Sequence, residues 1–282
     1  MARVVIVGCG ALGSLLGERL AAAGHEVWGV RRTVAALPPV IRPVTADLRL
    51  PAELEALPEG IDYLVYTASA GGFEEASYFA AYVEGPAHVL ALLARRGERP
   101  RRLLFTSSTA VYGQVGGEWV DEDSPTEPAG FSGRCLLEGE ALFRDSPFPA
   151  TVVRLTGLYG PGPGRLIAML RAGAATIPSG PPQYTNRIHR IDAARLLHHL
   201  MELAAPADRY LGVDTEPTEI ATLYGWLADA LALPPPPVAG AGHPVRGGNK
   251  RCRNDRIVAT GFTYRYPTFR DGYGAIVAAL EG

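Results

Sequence analysis

The chain has 282 residues, 47% of them hydrophobic, and a formal net charge of −2. That apolar content suits one composite domain or two small ones, and the near-zero charge argues against general attraction to nucleic acid or anionic membrane. Three scattered cysteines, Cys9, Cys135 and Cys252, form no disulfide framework and fit a reducing cytoplasm, and no apolar run approaches the ~18 residues of a membrane span.

The opening MARVVIVGCG lacks a cationic n-region, a full h-region and a cleavage site, so residues 3–8 (RVVIVG) read as a buried strand rather than a leader. Residues 11–24 carry apolar side chains at helical spacing and end on Gly24, a natural C-cap. Strands follow at 25–30 (HEVWGV), 43–48 (PVTADL) and 62–69 (DYLVYTAS). A long helix is expected at 74–96, a strand at 101–108 (RRLLFTSS), a helix at 132–144, and a sixth strand at 150–160 (ATVVRLTGLYG) running into a Gly-Pro loop. Strands alternating with helices predict parallel pairing through right-handed crossovers, hence an α/β fold with a doubly wound Rossmann sheet. The aromatic residues at 63, 66, 73, 78, 79 and 82 read as core and cleft wall. Beyond about residue 155 the texture becomes turn-rich. There an amphipathic helix is expected at 219–233, a stiff boundary at the prolines 234–237, an exposed loop at 238–251 and a closing helix in DGYGAIVAALEG.

Gly8, Gly10 and Gly13 form G-x-G-x-x-G between a predicted strand and a predicted helix, the context that gives this pattern meaning. Gly8 permits the tight turn, Gly10 lets backbone approach a pyrophosphate, and Gly13 lets helix and strand pack closely. The helix N-terminus adds amide donors for the phosphates. The second strand ends in Arg31 and Arg32, where an acidic residue would accept from a ribose 2′-hydroxyl. Two guanidiniums suit a 2′-phosphate, so NADP is expected over NAD. Asp47 and Leu48 match the place where related folds line the adenine pocket, although Asp47 also suits an ordinary turn. The full cofactor set expected is Gly8, Gly10, Ala11, Leu12, Gly13, Arg31, Arg32, Asp47, Leu48 and Ala68. Residues 1–155 then form an NADP-binding Rossmann domain. Residues 156–282 form mainly a C-terminal substrate lobe, with some segments returning to the sheet.

With YVEGPAHVL (82–90), SSTAVYG (107–113), YGPG (159–162) and RIHRID (187–192) added to the glycine turn and Asp47-Leu48, the chain resembles the extended short-chain dehydrogenase/reductases. It is most similar to an atypical branch of that NAD-dependent epimerase/dehydratase group. The resemblance covers nearly the whole length. It implies a hydroxyl residue, a tyrosine and a lysine as the catalytic set. Ser108, four residues before Tyr112, takes the hydroxyl position that polarises a substrate carbonyl. The Tyr-x-x-x-Lys turn belongs in GFSGRCLLEGE (130–140), which contains neither residue. One register pairs Phe131 with Cys135, another Gly130 with Arg134, and Glu138 favours the second because relatives often carry Glu four residues after the Lys. The implied roles pass to Tyr112 or a bound water for proton transfer and to Arg134 for the lysine's positive charge. Arg134 itself stays protonated and cannot shuttle protons.

The same resemblance places Tyr159, Arg187 and His189 beside the substrate, with Arg187 suited to an anionic group. His189 equally suits a structural role, hydrogen-bonded to backbone. No His/Cys/Asp/Glu spacing suggests a metal site, and G-x-S-x-G is absent. The expected function is an NADP-dependent oxidoreductase acting on a small polar carbonyl or alcohol. The alternatives are a non-catalytic NADP-binding or sensing protein and a nucleotide-sugar epimerase or dehydratase. The family habit predicts a homodimer through the helices at 74–96 and 132–144. Lys250, the only lysine in a total of 27 Lys and Arg, lies far from where the family needs one.

Overall fold

Val4, Val5, Ile6 and Val7 are each completely buried, as expected of a strand covered on both faces. They belong to β1 (Arg3–Val7), the centre of a sheet in a computed structural model that describes residues 1–162, 164–239 and 248–281. In chain order there follow α1 (Ala11–Ala22), β2 (Glu26–Arg31), β3 (Arg42–Thr45), β4 (Tyr63–Tyr66), α2 (Glu75–Phe79), α3 (Gly85–Arg95), β5 (Arg102–Ser108), β6 (Glu118–Val120), α4 (Phe131–Arg144) and β7 (Ala150–Leu155). The remainder is β8 (Gly157–Tyr159), α5 (Gly164–Arg171), β9 (Tyr184–Thr185), β10 (Arg187–His189), α6 (Arg190–Glu202), β11 (Arg209–Gly212), β12 (Thr218–Glu219), α7 (Ile220–Ala230), β13 (Lys250–Cys252), α8 (Asp255–Val258) and α9 (Phe269–Glu281).

The chain divides into two compact units. The first comprises Met1–Val111, Thr126–Arg154 and Ala194–Tyr210. Its seven-stranded sheet has the order β11-β7-β5-β4-β1-β2-β3, in which β1 pairs in parallel with β2 and β4, β2 with β3, and β4 with β5. The order turns outward in both directions from β1 and β4. That places a topological switch point at their carboxyl ends, where open α/β sheets bind ligands. The doubly wound Rossmann fold is therefore the one the sequence predicts. Leu64, Tyr66, Leu93, Phe105 and Phe143 build one core against this sheet.

The predicted helix at 74–96 is interrupted by a π-helical turn at Ala80–Glu84 between α2 and α3. Such a turn leaves carbonyls without a regular partner. Here the Tyr66 hydroxyl donates to the Ala81 carbonyl at 2.6 Å. Among the predicted aromatic wall residues Tyr66 is fully buried, but Phe73 is 62% exposed, so the core reading holds for only part of that stripe.

The second unit comprises Tyr112–Pro125, Leu155–Ala193 and Leu211–Gly282. Among its described residues are three two-stranded sheets, β10-β8, β12-β9 and β13-β6. Tyr159, Ile167, Leu223, Leu227, Phe269 and Tyr273 share its core. The expected exposed loop at 238–251 is corrected at its end. Residues 240–247 lie outside the described residues, but Asn249 and Lys250 are buried and β13 pairs in parallel with β6. Asn249 accepts from the Tyr184 amide through Oδ1, and Asn186 donates to the Lys250 carbonyl, so the strand is held from both sides. Burial pushes the Lys250 ammonium below its ordinary pKa. The expected single strand at 150–160 is two, β7 and β8, broken at Thr156.

Candidate functional site

The turn after β1 is shaped by backbone. Gly8 has φ +77°, and a Cβ there would stand 2.2 Å from the Ala68 Cα, so only glycine fits between β1 and the segment after β4. The Gly8 and Cys9 amides both donate to the Val30 carbonyl, at 2.9 and 3.0 Å, tying the turn to β2. Gly10 caps α1 without a side-chain bond, which leaves the amides of the first helical turn open toward an anion.

Beside this turn the first unit holds a cavity of about 690 Å³. Of the expected cofactor residues, Gly8, Gly10, Arg31, Arg32, Asp47, Leu48 and Ala68 line it. Ala11, Leu12 and Gly13 instead form the first turn of α1, with Leu12 and Gly13 buried. A glycine turn, a helix N-terminus, an apolar wall and a cationic end fit a dinucleotide. Cys9 is fully buried, and burial pushes its thiol up to about 11 against the opposing effects of Ser14 and Arg31, so it packs as a small neutral group. The Asp47 carboxyl is pulled down to about 2, chiefly by hydrogen bonds from the Arg49 side chain. Sequence reasoning missed Thr33, Arg49, Ser69, Glu74 and Ser77, which also line the cavity. Most of them follow directly on β2, β3 or β4, so the rule that ligands bind beyond strand carboxyl ends would have found them.

Ser108 ends β5 and is half-buried, and its Oγ accepts from the Ala110 amide at 3.2 Å. That contact uses an acceptor lone pair and leaves the O–H to donate. The following helical turn packs closely on α4, since a Cβ on Gly133 would stand 2.6 Å from the Ala110 carbonyl oxygen.

The rotation of α4 bears on the expected register of the missing pair. The glutamate that turns inward is Glu140, whereas Glu138 is exposed. Glu140 accepts from Ser107 Oγ at 2.6 Å and from Arg154 Nε and Nη2 at 2.9 and 2.7 Å. Counting back four and eight residues from Glu140 reaches Leu136 and Ser132. With Glu140 taken as the glutamate that follows the lysine in relatives, these, rather than Cys135 and Phe131 or Arg134 and Gly130, are the matching positions. Arg134 is exposed; its Nη1 donates to the Ala129 carbonyl and its Nη2 lies 3.9 Å from Glu75. Phe131 packs against Phe73 and Tyr78, at ring distances of 5.2 and 5.4 Å.

The second unit contains Tyr112, whose hydroxyl donates to the Asp121 carbonyl at 2.7 Å, a bond that engages the proton a general acid would give. The unit also holds a cavity of about 640 Å³, walled in part by Tyr159, Arg165, Thr185, Arg187, Arg190 and Tyr273. Arg187 donates to the Tyr273 hydroxyl at 3.2 Å, while its buried Nε has no partner among the described residues. Tyr159 stacks on Tyr273 at 4.4 Å, and its hydroxyl is likewise buried without a partner. Burial pushes the Tyr159 phenol far up, so it is a neutral donor.

His189 is not on that wall. It is 2% exposed, sits between Tyr159 and Tyr266 at ring distances of 5.2 and 4.1 Å, and its Nδ1 accepts from the Ile191 amide. Burial, followed by the charges of Arg190 and Arg265, lowers its pKa from 6.5 to about 4. Between those values the unfolded chain binds a proton that the folded chain does not, so folding stability falls as pH drops from 6.5 toward 4. The contribution lost is on the order of 2–3 kcal/mol. Urea unfolding at pH 7 and pH 4.5 measures it, and His189→Gln is expected to flatten the difference. An equally steep fall in that variant would assign the acid sensitivity to other groups.

Residues 4–207 match the profile of the NAD dependent epimerase/dehydratase family. The chain belongs to that family. Its members are NAD(P)-dependent enzymes of the oxidoreductase or epimerase kind, in agreement with the resemblance read from the motifs. It is 31% identical to Protein YeeZ of Escherichia coli K12 over 287 residues, covering 95% of this chain and 97% of that one. It is 28% identical to a 3-diazoavenalumate denitrifying reductase of Streptomyces sp over 304 residues, covering 96% and 99%. Among solved structures, a Methylobacillus flagellatus protein assigned to the NAD-dependent epimerase/dehydratases superposes with a TM-score of 0.81 at 37% identity, over 100% of this chain and 99% of that one. No helix among the described residues is long and apolar enough to cross a membrane.

Proposed function

We propose that the protein is an NADP-dependent oxidoreductase acting on a small polar carbonyl or alcohol that carries an anionic group, without the Tyr-x-x-x-Lys pair. The observation that carries the reading is the pair of guanidiniums, Arg31 and Arg32, on the wall of the glycine-turn cavity. When bound, the nicotinamide supplies the hydride chemistry. The backbone at Gly8 and Gly10 and the start of α1 would hold the pyrophosphate, and Arg31 and Arg32 the 2′-phosphate. Ser108 donates its hydroxyl proton in a hydrogen bond to the substrate oxygen, and solvent water supplies the proton that completes reduction. Leu136 brings neither charge nor proton to the place of the lysine. In the second unit Arg187 and Tyr159 each have a buried donor without a partner among the described residues, chemistry that suits an anionic ligand.

A denitrifying reductase among the relatives supports reduction over epimerisation. The absent Tyr-Lys pair supports the second reading, a protein that binds NADP without turning it over. Calorimetry decides the cofactor. NADPH is expected to bind at least about tenfold more tightly than NADH, because each charge-assisted hydrogen bond is typically worth ~1.5–3 kcal/mol. Arg31→Asp is expected to reverse the order. Equal affinities in the wild type would remove the basis for assigning NADP.

A further inference from the structure

We infer that Arg49 is a third cation of the 2′-phosphate end and that Asp47 is the residue that positions it. The inference rests on the NADP reading above and adds a residue that selects between the two dinucleotides.

Arg49 lines the same cavity as Arg31 and Arg32. It is not a free surface arginine. Asp47 Oδ1 accepts from the Arg49 amide at 3.0 Å and from its Nε at 3.0 Å, and Oδ2 accepts from its Nη2 at 2.6 Å. Asp47 is itself fixed, since its amide donates to Glu53 Oε2 at 2.7 Å. The carboxylate therefore grips one edge of the guanidinium fork through Nε and Nη2. Nη1 donates no hydrogen bond among the described residues, and a planar fork gripped on one edge presents the other in a fixed direction.

The arrangement also resolves a conflict of charge. A bare carboxylate on the wall of that cavity would repel a 2′-phosphate. Asp47 is held ionised, with Arg32 adding to the effect of Arg49. Arg49 covers it. The ion pair lets a carboxylate stand on the wall without opposing the phosphate, and it converts that carboxylate into a tether for a phosphate donor. Removing Arg49 does two things in the same direction: one donor is lost and one repelling carboxylate is uncovered.

The test is isothermal titration of NADPH and NADH into the wild-type chain, Arg49→Met, and the double variant Arg49→Met/Asp47→Asn. The Arg49 side chain is 59% exposed, so its loss spares the core, and equal thermal midpoints check this. Arg49→Met is expected to weaken NADPH binding by about tenfold or more, the scale of one charge-assisted contact, and to leave NADH within about twofold. The double variant is expected to recover part of the NADPH affinity, because the uncovered carboxylate is gone. Wild type that prefers NADPH, with Arg49→Met unchanged within twofold, overturns this inference alone. Arg49→Met that weakens both cofactors equally also overturns it, since a general effect on the cavity is not recognition of the 2′-phosphate. Wild type with no preference overturns the NADP reading and this inference together.

Discussion

Glu140→Ala is expected to destabilise the first unit by about 3–5 kcal/mol, the usual cost of breaking a buried ion pair by removing one partner. The Arg154 and Glu140 side chains are 2% and 4% exposed. Their carboxylate–guanidinium contact is bidentate, with Ser107 as a further donor. Alanine would leave the Arg154 charge in the interior with most of its hydration gone and without the Glu140 carboxylate. Glu140→Gln keeps the shape and one acceptor and is expected to cost less. The double change Glu140→Leu/Arg154→Met is expected to be near neutral, because apolar residues of similar volume replace a buried pair at little net cost. Chemical denaturation of the three variants checks the ordering. A loss under 1 kcal/mol for Glu140→Ala would mean that water reaches Arg154.

The pair also matters for function. It joins α4 to β5 and β7 and so fixes which side of α4 faces the turn after Ser108. Rotating α4 by the 200° that separates Glu138 from Glu140 on a helix would move Leu136 away and bring Arg134 inward. The contact thus decides that Leu136, and not Arg134, lies on the inward face of α4.

The nucleotide side of the site was legible because its signals are local. Gly8, Gly10 and the arginines at the end of β2 are set by a turn and two strand ends within about thirty residues, and each follows from backbone geometry. The rest depends on contacts distant in sequence. Helical periodicity alone could not choose between Glu138 and Glu140; the choice is made by Arg154 on β7. Lys250 was conspicuous by composition, but its burial comes from the pairing of β13 with β6, and a strand of three residues has no period to read. Short β6, β9, β10 and β12 were missed for the same reason, and β8 was merged with β7. Tyr112 sits in its motif as expected, yet its hydroxyl is engaged by the Asp121 carbonyl, a partner that sequence spacing could not indicate.

Ser108→Ala is expected to lower turnover by about 10²–10³ while leaving NADPH affinity unchanged, since a donor aimed at a developing oxyanion is worth that much and takes no part in holding the cofactor. The reasoning is by elimination among the groups the motif brings to the reaction. Tyr112 has engaged its proton, Leu136 carries no charge, and Ser132 is too short to take a tyrosine's place by itself. Ser108 keeps its O–H available to donate, with the Ala110 amide at its acceptor side. Ser108→Thr, which keeps the hydroxyl, is expected to retain most activity, and that rescue separates hydrogen-bond donation from packing. Phe131→Tyr is expected to restore little, because its ring belongs to the cluster with Phe73 and Tyr78 and no lysine is near to acidify a phenol. The informative gain-of-function variant is Ser132→Tyr/Leu136→Lys, which rebuilds the pair in the register set by Glu140. The assay is NADPH oxidation over a panel of small carbonyl compounds bearing carboxylate or phosphate groups. If the wild type turns over and Ser108→Ala is as fast, the placement of the reacting oxygen at the end of β5 is wrong. If the wild type binds NADPH but is inert on every compound, and the double variant acquires activity, the chain is a sensor built on an oxidoreductase scaffold, and the loss of two side chains on α4 is what made it one.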